Sequence, residues 1–140
     1  MMFVPQTSYL PIGTLKAALT YPSAPDAFTD DACRDALRAC RLEDYAERLG
    51  ESGHWTRVLS PGEQQRLAGA RVLLHKPDFL FLDEATSALD ADNEARLYHL
   101  FAERLPQAAI VSIAHRESLA AFHAGTINVE RVNDDDKVAA

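Results

Sequence analysis

The chain reads as an α/β fold with a mostly parallel sheet, and two stretches of its 140 residues predict it. Phe79-Leu80-Phe81-Leu82 is a short continuous apolar run of the kind that a strand buried on both faces requires. Ala108-Ala109-Ile110-Val111-Ser112-Ile113 repeats the pattern, after a helical stretch that can carry the chain back over the sheet. Both runs stop abruptly at polar residues, Asp83-Glu84 in the first case and Ala114-His115-Arg116 in the second. Two adjacent carboxylates at the C-terminal end of a buried strand stand where open α/β sheets place their chemistry.

The remaining elements follow in order. Met2-Phe3-Val4 is a short strand broken by Pro5, and residues 6–14 form a loop punctuated by Pro11 and Gly13. Thr14 caps a short helix through Leu15, Ala18 and Leu19, which Tyr21-Pro22 ends. Thr29 or Asp30 caps a helix with Ala32, Ala36, Leu37 and Cys40 on its apolar side. A second short helix is expected over Glu43 to Leu49, closed by Gly50. Asp30, Asp31, Asp35, Glu43, Asp44, Glu47 and Glu51 read as a solvated face rather than a metal site. Trp55 reads as a packing residue.

The stretch LSPGEQQRLAGARVLLHKP is a helix with its start and stop written out. Ser60 is the N-cap, Pro61 takes the first helical position, and Glu63 completes an S-x-x-E capping box. Leu67, Ala70, Arg71 and Leu74 can pack on one face, leaving Gln64, Gln65 and His75 elsewhere, and Pro77 stops the helix. Gly69 sits mid-helix at a cost of about 1 kcal/mol relative to Ala, with no function evident from sequence. Further on, Asp90 caps a helix over Ala91 to Leu105, with Glu94 near the capping-box position and Leu97, Leu100 and Phe101 as its apolar stripe. Gly125 to Val132 alternates like a last strand, and residues 133–140 form a charged tail expected to be disordered.

Composition narrows the function less than the motifs do. A chain of 47% hydrophobic and 25% charged residues is ordinary for one globular domain. The net charge of −7 argues against nucleic acid as a partner, because phosphate binding draws on clustered Lys and Arg. Cys33 and Cys40 are seven residues apart on a predicted helix, about 10 Å at 1.5 Å per residue, too far for a bridge. Two such thiols fit a reducing compartment. No apolar run approaches the roughly 20 residues of a membrane span, and the opening residues are not expected to act as a signal peptide.

Three motifs stand together in a fixed order: LSPGEQQR, then FLFLDE, then SALD. In this order and spacing they resemble the signature motif, Walker B and D-loop of the ATP-binding-cassette (ABC) ATPase domain. Within that resemblance VPQ followed by a short loop and G-T-L is similar to the Q-loop, over residues 3–14, and His115 stands at the H-loop position. Residues 15–75, the acidic helices and the signature helix, resemble the helical subdomain, and 79–90 carry Walker B and the D-loop. The wording FVPQTSYLPIGTLKAALTYP resembles bacterial transporters with a fused membrane domain, of the cobalamin and antimicrobial-peptide uptake type, and more distantly peroxisomal fatty-acyl transporters.

The resemblance implies an ATPase with ATP and Mg²⁺ as cofactors, and it implies roles residue by residue. Glu84 would be the general base or water-positioner, and His115 would contact the γ-phosphate and the attacking water. Asp83 would hold Mg²⁺ through a water, and Gln6 would reach both Mg²⁺ and the attacking water. Ser60, Gly62 and Glu63 would face the nucleotide held by a second ABC ATPase domain in a head-to-tail dimer, with Asp90 crossing the same interface. The Q-loop, through Tyr9 or Leu10, would lie against a transmembrane domain, fused or separate. That places the protein at the cytoplasmic face of the inner or plasma membrane.

Two departures from the family pattern stand out. Pro61 and Glu63 replace the first Gly and the Gln of the commoner L-S-G-G-Q, although Pro suits a first helical position. More consequentially, Gly13, Gly50, Gly53, Gly62, Gly69 and Gly125 offer no pair with the spacing of G-x-x-x-x-G-K-[ST], so there is no Walker A. The expectation is therefore the C-terminal part of an ABC ATPase domain over residues 1–132, inactive alone, with a partial sheet that exposes a face or edge. It would be poorly soluble or associate with its Walker A half. Two alternatives are a non-catalytic regulatory or interaction module and an ABC ATPase that serves DNA or translation rather than transport. A membrane-domain crosslink from the Q-loop separates the last from the first, and a neutral Glu84→Gln would favour the regulatory module.

Overall fold

Three short parallel strands lie side by side in the order β1-β4-β5, in a computed structural model that describes residues 1–129. They are β1 (Met2–Val4), β4 (Phe79–Asp83) and β5 (Ala109–Ile113). Val4 pairs with Leu82, and Leu82 with Ser112, so all three C-terminal ends emerge at one edge of the sheet. The register brings Gln6, Asp83, Glu84 and His115 toward that edge from three separate parts of the chain.

Between β1 and β4 the chain builds a helical layer. It contains β2 (Gly13–Thr14), α1 (Leu15–Thr20), α2 (Asp30–Ala39), β3 (Ser52–Gly53), α3 (Trp55–Val58) and α4 (Pro61–His75). Thr14 and Thr29 cap α1 and α2 through their hydroxyls, as the sequence predicts. After β4 comes α5 (Ala91–Arg104), capped by Asp90, which accepts from Asn93 N–H at 2.8 Å. The core runs from Leu15, Leu19 and Leu37 through Trp55 and Leu67 to Leu80 and Phe101, all 1% exposed or less. Trp55 is a packing residue, as expected, and its indole N–H donates to Gly13 O at 2.9 Å.

The structure corrects several local expectations. β4 and β5 bury only one face: Leu80 and Leu82 are buried, whereas Phe79, Val111 and Ile113 are 56%, 50% and 59% exposed. On α2 Ala32 is exposed and Cys33 takes its place, giving the helical series Cys33, Ala36, Leu37, Cys40. The helix expected over Glu43 to Leu49 is a single 3₁₀ turn, Glu43–Tyr45, in a segment closed by three-residue hydrogen bonds such as Ala46 N–H to Glu43 O at 3.1 Å. The seven carboxylates of the acidic face are exposed, and Arg34, Arg38, Arg48, Arg104 and Lys16 pair with five of them.

Glu94 does not complete a capping box on α5. It is buried and takes a hydrogen bond from Thr86 Oγ1 at 2.6 Å. Gln65, expected away from the packed face of α4, is 6% exposed, while Leu74 is only half-buried. Residues 125–129 form no strand; the rest of that strand expectation, at 130–132, and the tail expectation at 133–140 lie outside the described residues.

Candidate functional site

The edge where the strands end is built from β4 outward. Asp83 closes β4, opposite Ile113 of β5, and its side chain is half-buried. Glu84 follows with φ +52°, a left-handed conformation that a non-glycine residue rarely adopts. Its N–H donates to Ile113 O at 2.9 Å, so β5 anchors the strained residue from one side. This turn swings the carboxylate toward the end of β5, where Glu84 Oε1 lies 3.1 Å from His115 Nε2. Glu84 is 23% exposed in its side chain against 93% for His115, so the carboxylate is sheltered while the imidazole stands in solvent. Apart from that contact Oε1 is buried and receives no directed hydrogen bond.

Gln6 stands two residues beyond β1, with its side chain exposed and its carbonyl accepting from Gln65 Nε2 at 3.1 Å. Gln6, Asp83, Glu84 and His115 thus gather at one edge. Two carboxylates, an amide and an imidazole at the ends of adjacent parallel strands are groups that can bind a hard cation and orient a water. The oxygen-rich donor set fits Mg²⁺. Among the described residues no three His, Cys, Asp or Glu side chains form a metal cage. A magnesium site needs none, since that ion is commonly held by one or two carboxylates together with substrate phosphates.

Ser60, Gly62 and Glu63 form a separate cluster at the N-terminus of α4. The capping box is complete: Ser60 Oγ accepts from Glu63 N–H at 3.2 Å, and Glu63 Oε1 accepts from Ser60 N–H at 2.9 Å. Burial pushes the Glu63 carboxyl up, but hydrogen bonds from Ser60 and Tyr45 outweigh it and leave it below its ordinary value. Gly62 faces Ala88 O, which a Cβ would meet at 3.4 Å, so the turn after β4 packs directly on this helix end. Asp90 is occupied as the α5 cap. No hydrogen bond or ion pair among the described residues joins Ser60 or Glu63 to Glu84 or His115.

Comparison with known proteins decides the family. The family model described as "ABC transporter" matches residues 4–87, more than half of the chain. The chain belongs to the ABC transporter ATP-binding family. An ABC transporter ATP-binding protein of Haemophilus influenzae is 43% identical over 122 residues, covering 87% of this chain and 21% of that protein. ABC transporter D family member 2, chloroplastic, of Arabidopsis thaliana is 38% identical over 155 residues, covering 88% and 21%. Among solved structures, a bacterial Atm1-family ABC exporter with ATP bound superimposes with a TM-score of 0.72 at 31% identity, covering 85% of this chain and 21% of that one. The chain therefore spans about a fifth of the length of the relatives it matches. Both the family and the α/β fold expected from the motifs are borne out.

With the family in place, the side chains that sequence reasoning passed over become visible. Gln65 makes contacts with three of the motifs, and Arg116, next to His115, donates to Leu89 O at 2.8 Å and Ser87 O at 3.1 Å in the D-loop. Arg71, 4% exposed, donates to Ala18 O and Tyr9 O, tying the Q-loop to the signature helix. No local sequence signal marks these three, because their partners are scattered over the chain. Tyr9 is 63% exposed and Ile12 71%, whereas Leu10 is buried, so of the two Q-loop residues expected at a membrane domain only Tyr9 is available.

Proposed function

We propose that this chain is the part of an ABC ATPase domain that completes ATP hydrolysis and couples it to solute movement across a membrane. The observation that carries the reading is the sheltered Glu84 Oε1, 3.1 Å from His115 Nε2, at the ends of adjacent parallel strands. Phosphoryl transfer to water requires charge neutralisation, in-line positioning and activation of the water. Glu84 accepts the proton of the attacking water or orients it, and His115 holds Glu84 and the γ-phosphate of ATP in register. Asp83 and Gln6 would hold Mg²⁺, which would supply charge neutralisation for the phosphoryl transfer. Ser60, Gly62 and Glu63, at the positive end of a helix of 15 residues, face the nucleotide of a second ATPase domain, with Asp90 at the same interface.

The partners follow from the same surfaces. A transmembrane domain, fused or separate, docks on the Q-loop around Tyr9 and Ile12, which places the domain at the cytoplasmic face of the membrane. Among the described residues no helix is long and apolar enough to cross a membrane. Nucleic acid is not a partner, given a net charge of −7. The phosphate-cradling G-x-x-x-x-G-K-[ST] is absent from these 140 residues, so the chain alone binds ATP weakly and does not turn it over.

The test is Glu84→Gln in the complete transporter, assayed for ATP turnover and ATP binding. Turnover is expected to fall by about 10²-fold or more with binding retained, as for loss of a general base. Unchanged turnover would sink the reading.

A further inference from the structure

The side chain of Gln65 sits where four functional segments meet. It projects from the signature helix α4, is 6% exposed, and spans to chain segments 59, 19, 22 and 23 residues away. Its Oε1 accepts from Ala88 N–H at 2.8 Å in the D-loop. Its Nε2 faces three oxygens: Gln6 O at 3.1 Å in the Q-loop, Ser87 Oγ at 3.2 Å, and Glu84 O at 3.4 Å. The orientation of the amide is decided by its neighbours. The Ala88 N–H needs an acceptor and the two carbonyls need a donor, so the reverse orientation would oppose like groups at these three contacts, while the Ser87 hydroxyl can serve either way.

Glu84 depends on this arrangement. Its left-handed backbone is strained and persists only where the surroundings over-determine it. On the β5 side the restraint is its N–H to Ile113 O. On the other side its carbonyl takes Ser87 N–H at 3.2 Å and Gln65 Nε2–H at 3.4 Å. The same amide nitrogen holds the main chain of Gln6, so one side chain sets the Q-loop and the strained carboxylate residue in a common frame.

We infer that Gln65 is a positioning residue for the hydrolytic site: through its carboxamide the signature helix holds the backbones of Gln6, Glu84 and Ala88 in their working register. The inference rests on the proposed ATPase reading. It assigns Gln65 no contact with nucleotide, so its loss acts on the rate of the chemical step and not on ATP affinity. A misplacement of about 1 Å in a catalytic group can lower the rate of that step by about 10²-fold.

The experiment uses the complete transporter, with steady-state ATPase kinetics and thermal unfolding for three variants. Gln65→Glu keeps the acceptor for Ala88 N–H but sets a carboxylate against Gln6 O and Glu84 O. Gln65→Met keeps the packing volume and removes both functions. Both are expected to lower kcat by about 10-fold to 100-fold while KM for ATP stays within about twofold. A wild-type kcat in both, a change confined to KM, or loss of the folded domain in both would overturn the inference. Glu84→Gln is the third variant and tests the reading beneath it. If it abolishes turnover while the two Gln65 variants keep theirs, only the role of Gln65 falls; if turnover survives it, both fall.

Discussion

Gly69 of α4 and Leu97 of α5 stand so close that a methyl group on Gly69 would lie 2.7 Å from Leu97 Cδ1 and 3.2 Å from Cδ2. The mid-helix glycine that has no reason in the sequence is therefore a packing requirement. It lets the helix that presents the signature approach the helix that follows the D-loop. Leu97 is itself 5% exposed, so its branched end can shift only within the packed interior.

Two opposing terms set the outcome of Gly69→Ala. Helix propensity favours alanine by about 1 kcal/mol, and overpacking costs typically 1–3 kcal/mol. The steric term wins, because the close atoms belong to the buried end of a side chain held in a second helix. We expect Gly69→Ala to destabilise the protein by about 1 kcal/mol in denaturant titration. In a Leu97→Ala background the same substitution should become neutral or stabilising, and a double-mutant cycle showing no coupling between the two positions would contradict this packing account.

Arg71 poses a different problem, a buried cation with carbonyls rather than a carboxylate for partners. Its Nε and Nη2 donate to Ala18 O at 2.8 Å and 2.6 Å, Nη2 reaches Tyr9 O at 2.6 Å, and the guanidinium lies 5.3 Å from the centre of the Tyr21 ring. Desolvation lowers its pKa to about 10, which leaves it charged at neutral pH. The planar fork is what serves two carbonyls and an aromatic face together, and a lysine cannot reproduce it. Arg71→Lys should cost about 2–3 kcal/mol in equilibrium unfolding, since each buried carbonyl left unpaired costs about 1–3 kcal/mol. It should also loosen the Q-loop, seen as faster amide exchange at Tyr9 and Leu10. A stability within about 0.5 kcal/mol of the parent would refute the role.

How far the sequence could be read depended on where each instruction is written. The capping box of Ser60 and Glu63, the caps at Thr14, Thr29 and Asp90, and the strands at Phe79 and Ala109 depend on neighbours within four residues, and all are present. The gathering of Gln6, Asp83, Glu84 and His115 became legible only through the order of the motifs. Gln65, Arg71 and Arg116 act through groups far away in sequence, and no periodicity records such partners. The left-handed turns at Arg41, Lys76 and Glu84 were hidden for a related reason. A positive φ is anticipated from Gly or Asn, whereas here tertiary contacts impose it on long charged residues. The apolar run of β4 predicted burial on both faces, which holds on one face only within the described residues.

That open face carries the last prediction. Phe3 pairs in register with Phe81, and Phe81 with Val111, so a row of large apolar side chains crosses all three strands on the side away from α4. Phe3 is 60% exposed, and Phe79 and Ile113 flank the row at 56% and 59%. Burying each such side chain is worth about 1.5–3 kcal/mol, so the face favours contact with any apolar surface that fits it. Purified alone, the chain should self-associate with rising concentration in sedimentation velocity, through this face. Phe3→Ser combined with Val111→Thr should shift it toward monomer without unfolding it, because both residues point away from the core and Thr suits a strand. A chain that stays monomeric at every concentration, or a double variant that associates as strongly as the parent, would show that the row is not the adhesive surface.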